Sequence, residues 1–278
     1  MRSLLLIIAF GIACSAYTLR YPIEKLEKNS SIATIKSDDL QVGMSGYVVH
    51  HLGGENSIIV ASSEVVEVDK DLKETTIKLS SFEILSSDSL PTFEQVAKVG
   101  DEAVFAYGYD KALLIAPNEE IHYRISNSTR VEWVHPDIFA TLLSKNAHAT
   151  PTRDDFSELS HKALAGVVFI YLEGRVFTLD ALSFKILAIS DAPLEQSQTQ
   201  LPFYSRLESI NSSWFGEGSG RLSEYEPHYY KMIIDANYKN IKLFDIVKVS
   251  QNINVKKLVN DFDFKGERDA SKRRFIFF

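Results

Sequence analysis

Cysteine is almost missing from this sequence. Cys14 is the only one, so no intrachain disulfide can form and stability has to come from core packing. Long apolar runs are missing as well. Beyond Ala16 no stretch approaches the roughly 20 apolar residues that cross a bilayer as a helix, which excludes a transmembrane span in the chain that follows. There is no basic stripe, and the formal net charge is −7, which argues against a nucleic-acid partner. Neither H-E-x-x-H nor G-x-S-x-G occurs. The glycines of "FGEGSG" (Phe215–Gly220) follow a polar, proline-bounded linker and lack the lysine of a phosphate-binding loop. Nothing here argues positively for catalysis, a cofactor or a metal.

What the sequence does have begins at its first residues. Met1-Arg2-Ser3 is a short positive start, Leu4 to Ala13 is apolar, and "ACSA" supplies small residues. This is the layout of a secretory signal over 1–16, with cleavage after Ala16 leaving Tyr17 first. "GIAC" also resembles a lipoprotein box, in which Cys14 would be lipidated, but Gly11 stands where a large aliphatic is usual. Ordinary cleavage is the expectation. Either route removes or blocks the one thiol that could act as a nucleophile. Hydrophobic residues make up 45% of the chain, enough to build a packed core.

The pattern predicts an α+β protein. Residues 17–100 read as a β-rich domain, a small barrel or a sandwich. "SIATIK", "GYVVHHL", "SIIVASSEVVEV" and "TTIKLSSFEIL" are β-branched runs separated by turn clusters such as "GGEN" and "DKD". Gly43 and Gly46 flank Met44-Ser45, where a turn or bulge would need positive φ. Residues 101–192 read as an α/β sandwich-like domain. "KALLIAP" is a buried strand, Asn118 caps a helix over "NEEIHYRIS", "VEWV" is a short strand, and Pro136 opens a helix with Ile138, Phe139, Leu142 and Leu143 inward. Thr152 and Asp155 start a third helix as a weak capping-box variant, and Glu173-Gly174 turns a hairpin. Residues 193–278 read as a linker, a helix near Leu222–Tyr238, and strand-like "LFDIVKV" and "DFDFK".

Three groupings invite a chemical reading. His50 and His51 are neighbours on a strand and point to opposite faces, so one ion cannot easily take both. Asn118 opens a helix that could receive an anion, but Glu119 and Glu120 already fill its first turn with negative charge. The acidic pairs Asp38-Asp39 and Asp154-Asp155 sit at turns and helix starts, where carboxylates are normally solvated.

Four stretches carry a resemblance: "DLQVGMSGYVV" (Asp39–Val49), "SSEVVEV" (Ser62–Val68), "ALLIAPNEEI" (Ala112–Ile121) and "PFYSRLESI" (Pro202–Ile210). In this order they resemble the N-terminal domain of the plasminogen-binding protein family of epsilon-class Gram-negative bacteria (the PgbA-like family). The resemblance implies export to the periplasm or the outer cell surface, and a binding role with no enzymatic activity. It also implies one of two settings. The first is a surface adhesin for host plasminogen, a host interaction that contributes to virulence. The second is a periplasmic interaction module whose partners are envelope proteins. Longer members of the family continue into a lysine-rich extension with a terminal lysine that is associated with plasminogen capture, whereas this sequence ends in Phe278.

An internal plasminogen site would need a cation beside a carboxylate on an exposed surface. The sequence offers Lys256 and Lys257 with Asp261, and Lys265 with Asp263. Helical spacing would put Lys257 and Asp261 on one face. Solvated pairs of this kind are worth roughly 0–1 kcal/mol, so the expectation is binding no tighter than about micromolar. Asn29, in an N-x-S sequon with Glu27 two places before it, is a candidate N-glycosylation site.

Overall fold

The computed structural model describes residues 18–27, 31–54, 56–82, 96–196, 198–207, 209–211 and 218–264. The signal segment with Cys14, the sequon residue Asn29, Lys265 and the first half of "FGEGSG" lie outside the described residues.

The first half is a closed antiparallel barrel, which decides between the barrel and the sandwich. Its strands are β1 (Leu19–Leu26), β2 (Ile32–Lys36), β3 (Ser45–Gly53), β4 (Asn56–Asp69), β5 (Glu74–Ser80) and β6 (Glu102–Phe105), in the order β1-β2-β5-β4-β3-β6. Alternation turns Ala33 and Ile35 of β2 and Ile77 and Leu79 of β5 inward. β6 closes the ring between β1 and β3: Phe105 is opposite both Leu19 and Gly46. Of the two glycines, only Gly43 has the expected positive φ, +94°. Gly46 is required for a different reason: a Cβ there would lie 2.3 Å from the Val104 carbonyl oxygen.

The second half is a five-stranded sheet, order β11-β10-β9-β7-β8. It comprises β7 (Lys111–Ile115), β8 (Glu132–Val134), β9 (Val167–Leu172), β10 (Arg175–Asp180) and β11 (Ile186–Asp191). β7 is parallel to β8 and β9, and the remaining pairs are antiparallel. The parallel pairs need crossovers, supplied by α1 (Glu119–Ser128), α2 (Pro136–Asn146) and α3 (Arg153–Ala163). Local chemistry starts each helix. Asn118 accepts from the Ile121 N–H, Pro136 occupies the first turn, and Thr152 and Asp155 form a complete reciprocal capping box. The inward face of α2 is Phe139, Ala140, Leu142 and Leu143, whereas Ile138 is 53% exposed and does not belong to it.

The C-terminal part departs from the sequence expectation. After α4 (Tyr225–Asn237) come α5 (Ile241–Val249), α6 (Ile253–Lys257) and a 3-10 turn over Leu258–Asp261. "LFDIVKV" therefore lies in helix α5 and is not a strand: Asn240 accepts from the Leu243 N–H, and Leu243 and Val247, four apart, are its buried residues. The described part of "DFDFK" pairs with no sheet. Phe262 and Phe264 instead pack edge-on against Phe244 of α5.

The two faces of the sheet serve different cores. Leu113, Ile115, Ile170 and Phe177 pack beneath α2 to α6. Ala112, Leu114, Phe169 and Val176 join Ile121 and Ile125 of α1 in a core continuous with the barrel interior. No helix among the described residues is long and apolar enough to cross a membrane.

Candidate functional site

The segment between β2 and β3 joins the two halves, and Asp180 at the end of β10 is its anchor. Asp180 is fully buried. One carboxylate oxygen accepts from Ser45 N–H (2.9 Å), Ser45 Oγ–H (2.7 Å) and Tyr109 Oη–H (2.7 Å). The other accepts from the Leu182 and Ser183 N–H groups at 3.0 and 2.7 Å. Five donors satisfy this buried carboxylate. Ser183 Oγ donates to the Gly43 carbonyl at 2.6 Å, and Gln41 Nε2 to the Leu187 carbonyl at 2.6 Å. Gly43 lies so close to the turn between β10 and β11 that a Cβ would come 2.3 Å from Lys185 Cβ. The "DLQVGMSG" stretch is thus a clasp between barrel and sheet, and its glycines and serine are fixed by that contact.

Beside the clasp a cleft of about 340 Å³ opens between the barrel wall and the end of α3. One side carries the rings of Tyr47, Phe82 and Tyr107. Tyr47 meets Phe82 edge-on at 5.6 Å between centroids and Tyr107 at 6.4 Å. Burial, then the charges of Asp180 and Tyr107, push the Tyr47 hydroxyl above its ordinary pKa. Ser160, His161 and Leu164, at the end of α3, also line the cleft. Burial pulls the His161 imidazole down from its ordinary value. Arg20 stands at the rim and donates from Nη1 to Glu102 at 2.6 Å.

The residues picked out for partner binding lie elsewhere, on the C-terminal helices. Lys256 and Lys257 are exposed at the end of α6. Lys257 Nζ donates to Asn254 Oδ1 at 3.0 Å. Asp261 is 3.5 Å from Lys231 Nζ of α4, and Lys231 also pairs with Asp235. The chain tightens into the 3-10 turn after Lys257, and the carboxylate of Asp261 goes to α4 instead of Lys257. Asp263 is held by its backbone, donating from N–H to the Tyr238 carbonyl at 3.1 Å. Lys231 with Asp235 and Asp261 is a lysine–carboxylate group that the sequence reading missed. Its Lys231–Asp235 half has the i, i+4 spacing of a helical pair, but the link to Asp261 required the tertiary fold.

His50 and His51 separate as strand alternation requires. His50 Nδ1 lies 2.6 Å from Asp101 Oδ1, and His51 Nδ1 lies 2.7 Å from Ser57 Oγ. Among the described residues no group of three or more His, Cys, Asp or Glu side chains is placed to hold a metal ion.

Residues 18–233 match the family model described as plasminogen-binding protein pgbA N-terminal. The chain belongs to the PgbA N-terminal family. It is 29% identical over 219 residues to plasminogen-binding protein PgbA of Helicobacter pylori strain J99, and equally to that of strain 26695. Each alignment covers 78% of this chain and 47% of the relative, so the chain spans about half the length of the curated relatives it matches. No solved structure matches. The PgbA N-terminal match takes in the barrel, the clasp, the cleft, the whole sheet and most of α4, including Lys231. It leaves out α5 and α6, and with them Lys256, Lys257, Asp261, Asp263 and Lys265.

Proposed function

We propose that this chain is an exported, non-enzymatic binding protein of a Gram-negative envelope. The observation that carries the reading is the PgbA N-terminal match over 18–233, which spans both halves and the clasp between them. The site geometry supports it. The buried carboxylate of Asp180 is saturated by five donors, three of which join barrel to sheet, so its role is structural.

Two settings remain, a surface adhesin for host plasminogen and a periplasmic module that binds other envelope proteins. The share of the relatives that is matched favours the second, because 53% of each relative lies outside the aligned part, the remainder of the 47% that is covered, and that part is free to carry the named activity. The lysine–carboxylate couples of this chain are solvent-facing and paired with one another, so plasminogen binding no tighter than about micromolar is the expected result. Surface plasmon resonance with immobilised plasminogen tests this, with a lysine analogue as competitor. Nanomolar, analogue-competed binding would establish the adhesin reading. Protease treatment of intact cells gives the compartment: survival of the native protein supports a periplasmic place, and digestion supports the surface.

A further inference from the structure

We propose that the cleft between the barrel and the end of α3 binds a small apolar molecule carrying one acid group. This is separate from the plasminogen reading and stands whether or not that reading does.

The cleft has the dimensions and lining of a small-molecule site. Its volume of about 340 Å³ lies inside the roughly 300–1,000 Å³ range of ligand pockets, which favour junctions between domains and combine apolar walls with a few polar groups. Three aromatic rings form one wall. Ile59, Tyr107 and Leu164 are 40, 50 and 50% exposed and all border the same cleft. Three large apolar side chains turned to water around one concavity form a patch, unlike single exposed apolar residues, which are normal.

Leu164 adds a backbone argument. It ends α3 with φ 56°, the left-handed conformation that glycine takes without cost. A half-exposed leucine in that position gains neither backbone relief nor full burial. It does, however, line the cleft.

Charge selects the class of ligand. Among the described residues no aspartate or glutamate lines the cleft, and the lining cation is Arg20. Glu102 holds it through one N–H and lies outside the cleft, so the guanidinium is oriented while its other donors face no protein acceptor among the described residues. Burial at His161 disfavours the charged form of its imidazole. An apolar lining with one oriented guanidinium favours an apolar monoanion over a cation or a polyanion.

A matched pair of fluorescent probes tests the assignment: 1-anilinonaphthalene-8-sulfonate and its uncharged analogue N-phenyl-1-naphthylamine. With the purified chain, the sulfonate is expected to bind saturably at one site, and Arg20→Gln to weaken it at least tenfold while changing the neutral analogue less than threefold. Tyr107→Ala should weaken both probes at least fivefold. Glu102→Gln separates positioning from binding: it frees the guanidinium and should leave sulfonate affinity equal or higher. Far-ultraviolet circular dichroism and the thermal midpoint confirm that each variant is folded. Sulfonate binding that is unsaturable, or unchanged in Arg20→Gln and Tyr107→Ala, would overturn the proposal. So would equal loss of both probes in Arg20→Gln, or an Arg20→Gln effect reproduced by Glu102→Gln.

Discussion

Inside the barrel the inward positions include Ala33, Ala61, Ala103 and Ser63, with Phe105 as the buried ring of its six strands. Beneath the helices, the sheet is covered by rings: Phe139 lies 4.7 Å from Phe156 and 5.4 Å from Phe203, Phe156 lies 5.3 Å from Phe184, and Phe177 meets Tyr230 at 5.7 Å. The difference follows from geometry. A closed ring of six strands has a narrow interior, filled here by aliphatic side chains such as Ile35, Val65, Ile77 and Leu79 interleaved with the small ones, and Gly46 shows the limit, because there even a methyl group would strike a neighbouring strand. A helix layer stands about 10 Å off a sheet and needs large side chains to reach across. One half is therefore sensitive to added volume and the other to removed volume. Between them the join combines the apolar core that the barrel shares with one face of the sheet and the hydrogen bonds that converge on Asp180.

The sharpest break in that comparison is Asp180→Ala. Buried donors left without an acceptor cost about 1–3 kcal/mol each, and five converge here, so with some relaxation a loss on the order of 5 kcal/mol is expected. Denaturant unfolding should also change from one transition to two as barrel and sheet uncouple; a single transition at the original midpoint would contradict the role of the clasp. Phe156→Ala comes next. It opens a cavity between Phe139 and Phe184 and should cost about 3–5 kcal/mol by urea denaturation, with the barrel amides keeping their hydrogen-exchange protection. In the barrel the opposite substitution tests the opposite weakness: Ala103→Val, at a fully buried position, should cost about 1–3 kcal/mol by overpacking.

A smaller effect belongs to pH. His122 of α1 is pulled down to about 4, first by burial and then by the neighbouring His135. The unfolded chain binds this proton near pH 6.5 and the folded chain only near pH 4, so stability rises with pH across that window and falls on acidification through it. His122→Gln should flatten the dependence between about pH 4 and 6.5, which thermal melts across that range would show. The smallest effect is at Lys231→Met. Both carboxylate partners are solvent-facing, and a change of roughly 0–1 kcal/mol in thermal stability is expected.

The legible parts of the fold were those in which local chemistry and tertiary demand agree. Asn118, Pro136 and the Thr152/Asp155 pair mark helix starts in sequence and in space, and alternation in β2 and β5 announces half-buried strands. "LFDIVKV" was ambiguous because seven residues with five apolar side chains suit a strand as well as a helix; the choice was made by the Asn240 cap and by Leu243 and Val247 meeting the core one turn apart. The cleft was not legible at all. Arg20, Tyr47, Phe82, Tyr107 and Leu164 are scattered over most of the described chain, and no spacing rule links them. Likewise, Asp180 carries no local mark of its five donors, three of which come from distant segments of chain.

The seam of the barrel has a consequence in time. β1 is the first strand and β6 the last, and the register that pairs Leu19 with Phe105 joins positions 86 residues apart, the difference of their numbers. The β3–β4 hairpin, by contrast, turns within a few residues. Local hairpins form in microseconds, while a long closure must first overcome the entropy of the intervening loop. A chain threaded through a membrane from its amino end would therefore deliver β1 and β2 early and wait for Phe105 before the ring could shut. Until then the outer edges of β1 and β3 stay open, and those two strands are where a chaperone would have most to shield.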